Sequence, residues 1–171
     1  MTLLIEKELR EKNSFLQILH AVAITANKAA GIKDAFEPIL KVICQHTAWA
    51  IGHAYVVSKN NPDCLEPTTI WYLEDAEQFA DFHKATEATT FARGIGLPGR
   101  VFRDSKPHWI IDVTKDSGFL RAPFASAVGI KAGFAFPVMS GTEVAAVLEF
   151  FGKEAVKPDY ILLGIMADVG I

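Results

Sequence analysis

Two thiols and five imidazoles are the first places to look for chemistry in this 171-residue chain: Cys44, Cys64, His20, His46, His53, His83 and His108. Cys44 falls on the apolar stripe of a predicted helix and reads as a small core residue. Cys64 follows Asp63, whose charge disfavours a thiolate, so neither cysteine reads as a nucleophile. Cys44 and His46, two apart on a helix, point nearly opposite ways and cannot share a metal. His53 stands on a predicted strand face among aromatics and is the histidine to watch; an interior hydrogen-bonded imidazole is its competing role. Gly-x-Ser-x-Gly, His-Glu-x-x-His and clustered carboxylate pairs do not occur, so hydrolytic and metal-assisted chemistry lack their parts. No catalytic, cofactor-binding or metal-binding residue is expected.

Gly94-Ile95-Gly96-Leu97-Pro98-Gly99 fits the GxGxxG pattern, and Asp112 ends a later strand at a suitable distance. A dinucleotide fingerprint needs a buried strand directly before the glycines. The preceding Ala85–Arg93 stretch is no such strand, and the sequence contains none of the other kinase motifs. The glycines therefore predict a tight turn into a short helix, Pro98 to Arg103. What remains is an aromatic set that could line a small-molecule pocket or simply fill a core. The candidate pocket residues are His53, Tyr55, Trp71, Phe91, Phe102, Trp109, Phe119, Arg121, Phe124 and Phe134. For an anionic ligand, Arg100, Arg103 and Arg121 are the candidate donors, with solvated surface charge as the competing reading.

The elements that would position these residues follow from periodicity. Ile5 to Ala30 reads as one helix, with Leu9, Leu16, Leu19, Ala23 and Ala26 on a stripe that either pairs with a second copy or folds back on its own domain. Gly31 ends it. A second helix runs from about Lys33 to His46, burying Phe36, Leu40, Ile43 and Cys44, with Pro38 in its first turns. Ala48–Ser58 is strand-like on both faces, one of them carrying Trp49, Ile51, His53, Tyr55 and Val57. A short strand at Thr68–Leu73 and a helix at Glu74–Ala88 follow. Later come a strand at Trp109–Val113, a helix at Phe119–Val128 stopped by Gly129, and strands at Ile130–Met139 and Thr142–Phe151 joined by a Ser140-Gly141 hairpin. Pro158 opens a last helix, which looks unfinished at Ile171. The order predicts an α/β (α+β) layer protein around one largely antiparallel sheet of five or six strands. Residues 1–30 form the leading helix and 31–171 the domain.

A net charge of −3 and a pI near 5.9, without a Lys/Arg cluster, offer nucleic acid no footprint. No apolar run reaches membrane-spanning length. The charged N-terminus lacks a signal core, so the expected location is cytoplasmic.

The run Gly94-x-Gly96-Leu97-Pro98-Gly99-Arg100-Val101-Phe102, then Pro107-His108-Trp109-Ile110-Ile111-Asp112-Val113, resembles the GAF domains of bacterial sensor proteins, especially hybrid sensor histidine kinases. Gly129-Ile130-Lys131, Ala135-Phe136-Pro137-Val138 and Gly141 through Phe151 extend the likeness. The resemblance implies terminal helices on one sheet face and a ligand pocket under short helices on the other. It further implies a homodimer joined through those helices and a downstream two-component signalling output in the same chain. The expected role is a non-catalytic sensor of a small molecule or partner. The alternatives are a ligand-free dimerisation module and a thiol-dependent reductase of the same fold. Bilin is disfavoured because Cys44 precedes Gln45 and Cys64 precedes Leu65 rather than His. A cyclic nucleotide is disfavoured because the chain has no Asp-Glu dipeptide.

Overall fold

A computed structural model describes residues 2–10, 13, 31–45, 47 and 49–158. Residues 2–10 are helical, with Leu3, Leu4, Ile5 and Leu9 exposed. The remainder of the predicted leading helix and the helix expected after Pro158 lie outside the described residues.

Helix α1 is Ile32–Gln45. Its amphipathic pattern buries Leu40, Ile43 and Cys44 and half-buries Phe36, as the spacing predicts. Pro38 sits in the second turn, since the helix begins at Ile32, one residue before the predicted start. The missing N–H is tolerated because the turns that follow carry the buried face.

Among the described residues six strands form one antiparallel sheet: β1 (Trp49–Val57), β2 (Cys64–Leu73), β3 (Phe91–Ala92), β4 (His108–Ile110), β5 (Ala132–Ser140) and β6 (Glu143–Gly152), in the order β3-β2-β1-β6-β5-β4. The central strands β1 and β6 are apolar on both faces because both are covered. α1 packs on one side against Trp49, Ala54, Ile70, Phe134, Phe136, Leu148 and Phe150. Gly52 permits that approach, since a Cβ there would sit 3.3 Å from Leu40 and 3.2 Å from Phe150. The other side is covered by α2 (Ala80–Glu87), α3 (Gly96–Asp104) and α4 (Ala122–Val128).

Three local departures matter. Ala50 is an extra residue between the Trp49–Gly152 and Ile51–Phe151 pairs, so Trp49 turns toward α1 while Ile51 joins the opposite core. The predicted common face of Trp49 and Ile51 is thus split. The helix expected from Glu74 begins only at Ala80, because the Asp75 carboxylate accepts the Gln78 N–H and holds a turn. The hairpin pairs Ser140 with Glu143, so its turn residues are Gly141 and Thr142, one position later than predicted, with Gly141 at φ 64°.

Candidate functional site

Alternation along β1 sends His53 and Tyr55 to the face under α2 and α4, and the β1–β6 register sets Glu149 directly beside His53. Arg121 immediately precedes α4, and its side chain runs inward to meet them, with only 2% of its surface exposed. The guanidinium grips Glu149 with two bonds, Nη2 to Oε1 at 2.7 Å and Nη1 to Oε2 at 2.9 Å, and Nη1 also donates to Thr86 Oγ1 of α2 at 3.1 Å. Five rings surround it, with centroids from 5.0 to 6.0 Å from Cζ: Phe91, Phe119, Phe82, Phe151 and Tyr55.

The imidazole of His53 completes the cluster. Thr68, Thr69 and Ile70 of β2 stand opposite the single residue Ala54, and this irregularity brings the Thr68 carbonyl to 2.9 Å from His53 Nε2. His53 Nδ1 lies 3.1 Å from Glu149 Oε2. A carbonyl and an ionised carboxylate both accept, so a bond to either takes the N–H of the ring nitrogen that faces it. Burial alone would raise the Glu149 carboxyl, but the Arg121 charge and the bonds from His53 and Arg121 outweigh it and hold the group below its ordinary value. Burial pushes the Tyr55 phenol well above its ordinary 10. Two polar atoms here have no hydrogen-bond partner among the described residues: Tyr55 Oη and Arg121 Nε, both buried.

Of the ten predicted pocket residues, His53, Tyr55, Phe91, Phe119 and Arg121 meet in this cluster, and Trp71 stacks on His53 at 4.0 Å. Phe102 lies on the same side of the sheet under the Arg93 guanidinium, 3.9 Å away. It lines a separate groove of about 240 Å³ near the hairpin turns, with Val57, Pro62, Ser105 and Thr142. Three residues are placed elsewhere. Trp109 and Phe134 belong to the α1 face, stacked on each other at 5.3 Å and edge-on to Trp49. Phe124 is 46% exposed on the outer side of α4. Of the three arginines, only Arg121 is interior: Arg100 forms a bidentate pair with Asp116 and Arg103 pairs with Asp104 at the surface. The competing surface reading therefore fails for Arg121.

Glu149, Thr86, Phe82 and Phe151 were not among the predicted pocket residues. Glu149 carries the one available signal, a lone acid inside the apolar run Val144–Phe151.

Residues 29–167 match the family described as the GAF domain. The chain belongs to the GAF family. Its structural neighbours include the A. aeolicus nlh2 GAF domain in an inactive state, at 17% identity and a TM-score of 0.70, covering 94% of this chain and 93% of that one. The GAF domain of a Coxiella burnetii phosphoenolpyruvate-protein phosphotransferase aligns at 13% identity and a TM-score of 0.73, over 94% and 90% of the two chains. Free methionine-R-sulfoxide reductase from Neisseria meningitidis, in complex with its substrate, aligns at 12% identity and 0.72, over 93% and 85%. At such identities the likeness is one of fold. No curated protein matches the sequence.

In this GAF domain the thiols stand apart from the Arg121 cluster. Cys44 packs in the α1 layer, where burial pushes its thiol far above the ordinary range. Cys64, half-buried at the start of β2, accepts from Asn61 Nδ2 at 3.3 Å. Native protein is therefore expected to take one equivalent of a maleimide, at Cys64, and two after denaturation, read by mass spectrometry. Rapid native labelling of Cys44 would contradict the packing of α1. Among the described residues no group of three His, Cys, Asp or Glu side chains could hold a metal, and no helix is long and apolar enough to cross a membrane.

Proposed function

We propose that this GAF domain is a non-catalytic regulatory sensor, binding a small molecule at the Arg121 cluster and biasing a linked signalling output, a histidine kinase in the same chain. One observation carries the reading: two buried polar atoms, Tyr55 Oη and Arg121 Nε, stand without partners beside an ion pair walled by aromatic rings. Buried polar groups are ordinarily satisfied, so an unpartnered pair in one cluster marks a place for a further molecule. A buried ion pair is also a weak source of stability, which makes a binding role the better reason to keep one.

The route outward is short. Glu149 and His53 are neighbours across the two central strands, whose opposite faces carry α1 through Leu148, Phe150 and Ala54. β6 leads directly to the segment anchored where Trp109 Nε1 donates to the Val156 carbonyl at 2.8 Å. A ligand shifts that arrangement only by binding one arrangement of the strands better than another. The reductase reading is disfavoured because neither thiol belongs to the cluster. A ligand-free dimerisation module is the second reading, favoured by the exposed Leu3, Leu4, Ile5 and Leu9.

Native against denaturing mass spectrometry of the purified chain tests the proposal. The expected result is a mass excess that disappears on unfolding. A dimer without mass excess would support the second reading instead, and a packed, ligand-free monomer would overturn both.

A further inference from the structure

We infer that the molecule taken by this cluster is a small monocarboxylate whose oxygens accept from Arg121 Nε and the Tyr55 hydroxyl, an inference resting on the ligand-binding reading above. The donor and acceptor inventory decides the class. The oxygens bonded by Arg121 each hold a donor already: Glu149 Oε1 takes Nη2, Glu149 Oε2 takes Nη1 with His53 Nδ1 3.1 Å away, and Thr86 Oγ1 takes Nη1. The groups left over are an Nε–H, which can only donate, and a phenolic O–H. A cationic ligand would be repelled by the guanidinium that the ring faces already enclose, and the Nε–H offers it no acceptor.

Charge points the same way. The Arg121 guanidinium is a permanent cation buried with Glu149 and His53, and a ligand oxygen at Nε lies directly against it. Desolvated charge is costly, so among anions a monoanion suits this interior better than a dianion. A planar carboxylate suits a site walled by flat rings, and it can receive two donors on one edge. Entry requires parting α2 from α4, which pack together over the cluster. The rival occupant is a single buried water, which could also accept both protons.

Isosteric probes that differ only in charge separate these cases on the full chain: benzoate, benzamide and benzamidinium, then acetate, acetamide and acetamidinium, with inorganic phosphate alongside. Binding is followed by calorimetry and by Trp71 fluorescence, since that ring stacks on His53. The expected result is saturable binding of benzoate or acetate, with the amide about 10- to 100-fold weaker and the amidinium inert. Tyr55→Phe removes an unpartnered hydroxyl, so its melting temperature should hold or rise while carboxylate affinity falls about 10-fold. Amide or amidinium binding as tight as carboxylate overturns the anion assignment yet leaves the sensor reading standing. Phosphate binding in preference to carboxylate does the same. If no carboxylate binds at millimolar concentration and a crystal structure shows only a water between Tyr55 Oη and Arg121 Nε, the inference is wrong. The mass-excess experiment then judges the sensor reading separately.

Discussion

Arg121→Met lowers the stability of this domain by about 3–5 kcal/mol at pH 7, the cost of leaving a buried charge without its partner. Methionine fills much of the same volume among Phe82, Phe91, Phe119 and Phe151, so little of the loss comes from a cavity. The loss comes from Glu149, which is fully buried and keeps His53 Nδ1 as its hydrogen-bond partner. Adding Glu149→Leu to the variant should restore most of the stability, since the desolvated carboxylate is then gone. Restoration stays incomplete because His53 Nδ1 is left without a bond in the interior. The pH dependence separates this account from simple loss of packing. In the natural protein Glu149 is held below its ordinary 4.5, so its contribution is present above that value and lost as pH falls through the lower folded one. Without Arg121 only the His53 bond opposes desolvation, the larger effect, and the carboxyl rises, so the variant gains stability as pH falls and loses it as pH rises. The gap between the two proteins should therefore narrow from pH 7 toward pH 4.5. Urea unfolding at the two pH values measures it. A gap under about 1 kcal/mol at pH 7, or one unchanged with pH, would show that the pair does not carry the interior.

Much of this arrangement is legible in the residues, and the failures have physical causes. The alternation of β1 already sets His53 and Tyr55 on one face with aromatic company, and the pairing with β6 confirms it. Arg121 is harder: a lone arginine beside a short helix has the local signature of a surface charge, and only the strand carrying Glu149 makes its burial tolerable. That acid was legible as an oddity in an apolar run, but what it pairs with depends on a contact between residues 28 apart in the chain. Trp109 and Phe134 mislead for a different reason. Strands apolar on both faces give no sign of which face looks toward the short helices. Parity is set by the pairs Trp109–Phe134 and Phe134–Phe150, which sequence alone does not reveal. The same holds for the bulge at Ala50, which turns Trp49 away from Ile51. Sheet, hairpin and end-capping glycines are local and readable; the assignment of faces is not.

Gly99→Ala should be the most damaging of the glycine substitutions, at about 3 kcal/mol, through a backbone clash that no side-chain rotation relieves. A Cβ at this position would stand 2.3 Å from the carbonyl oxygen of Ala92. The backbone there is fixed from both sides, since Gly94 N–H donates to the Gly99 carbonyl at 2.7 Å and Gly99 N–H to Ile95 at 3.1 Å. Gly94 and Gly96, at φ 81° and 65°, supply the left-handed turn that lets α3 fold back over β3. The GxGxxG run thus serves close packing of a helix on an edge strand. Relief of the clash must move α3 off β3, and Leu97, Val101 and Phe102 go with it. It also disturbs Phe91, the β3 ring that faces Arg121 at 5.0 Å. The substitution should consequently weaken the carboxylate binding proposed above as well as stability, although Gly99 touches neither Arg121 nor Tyr55. Gly141→Ala is the matched control: φ is 64° with nothing within 4 Å of a new Cβ, so only the left-handed strain of about 1 kcal/mol is added. Chemical denaturation of the two variants reads the difference. Equal losses would mean that backbone approach at Gly99 is not what holds α3 over the site.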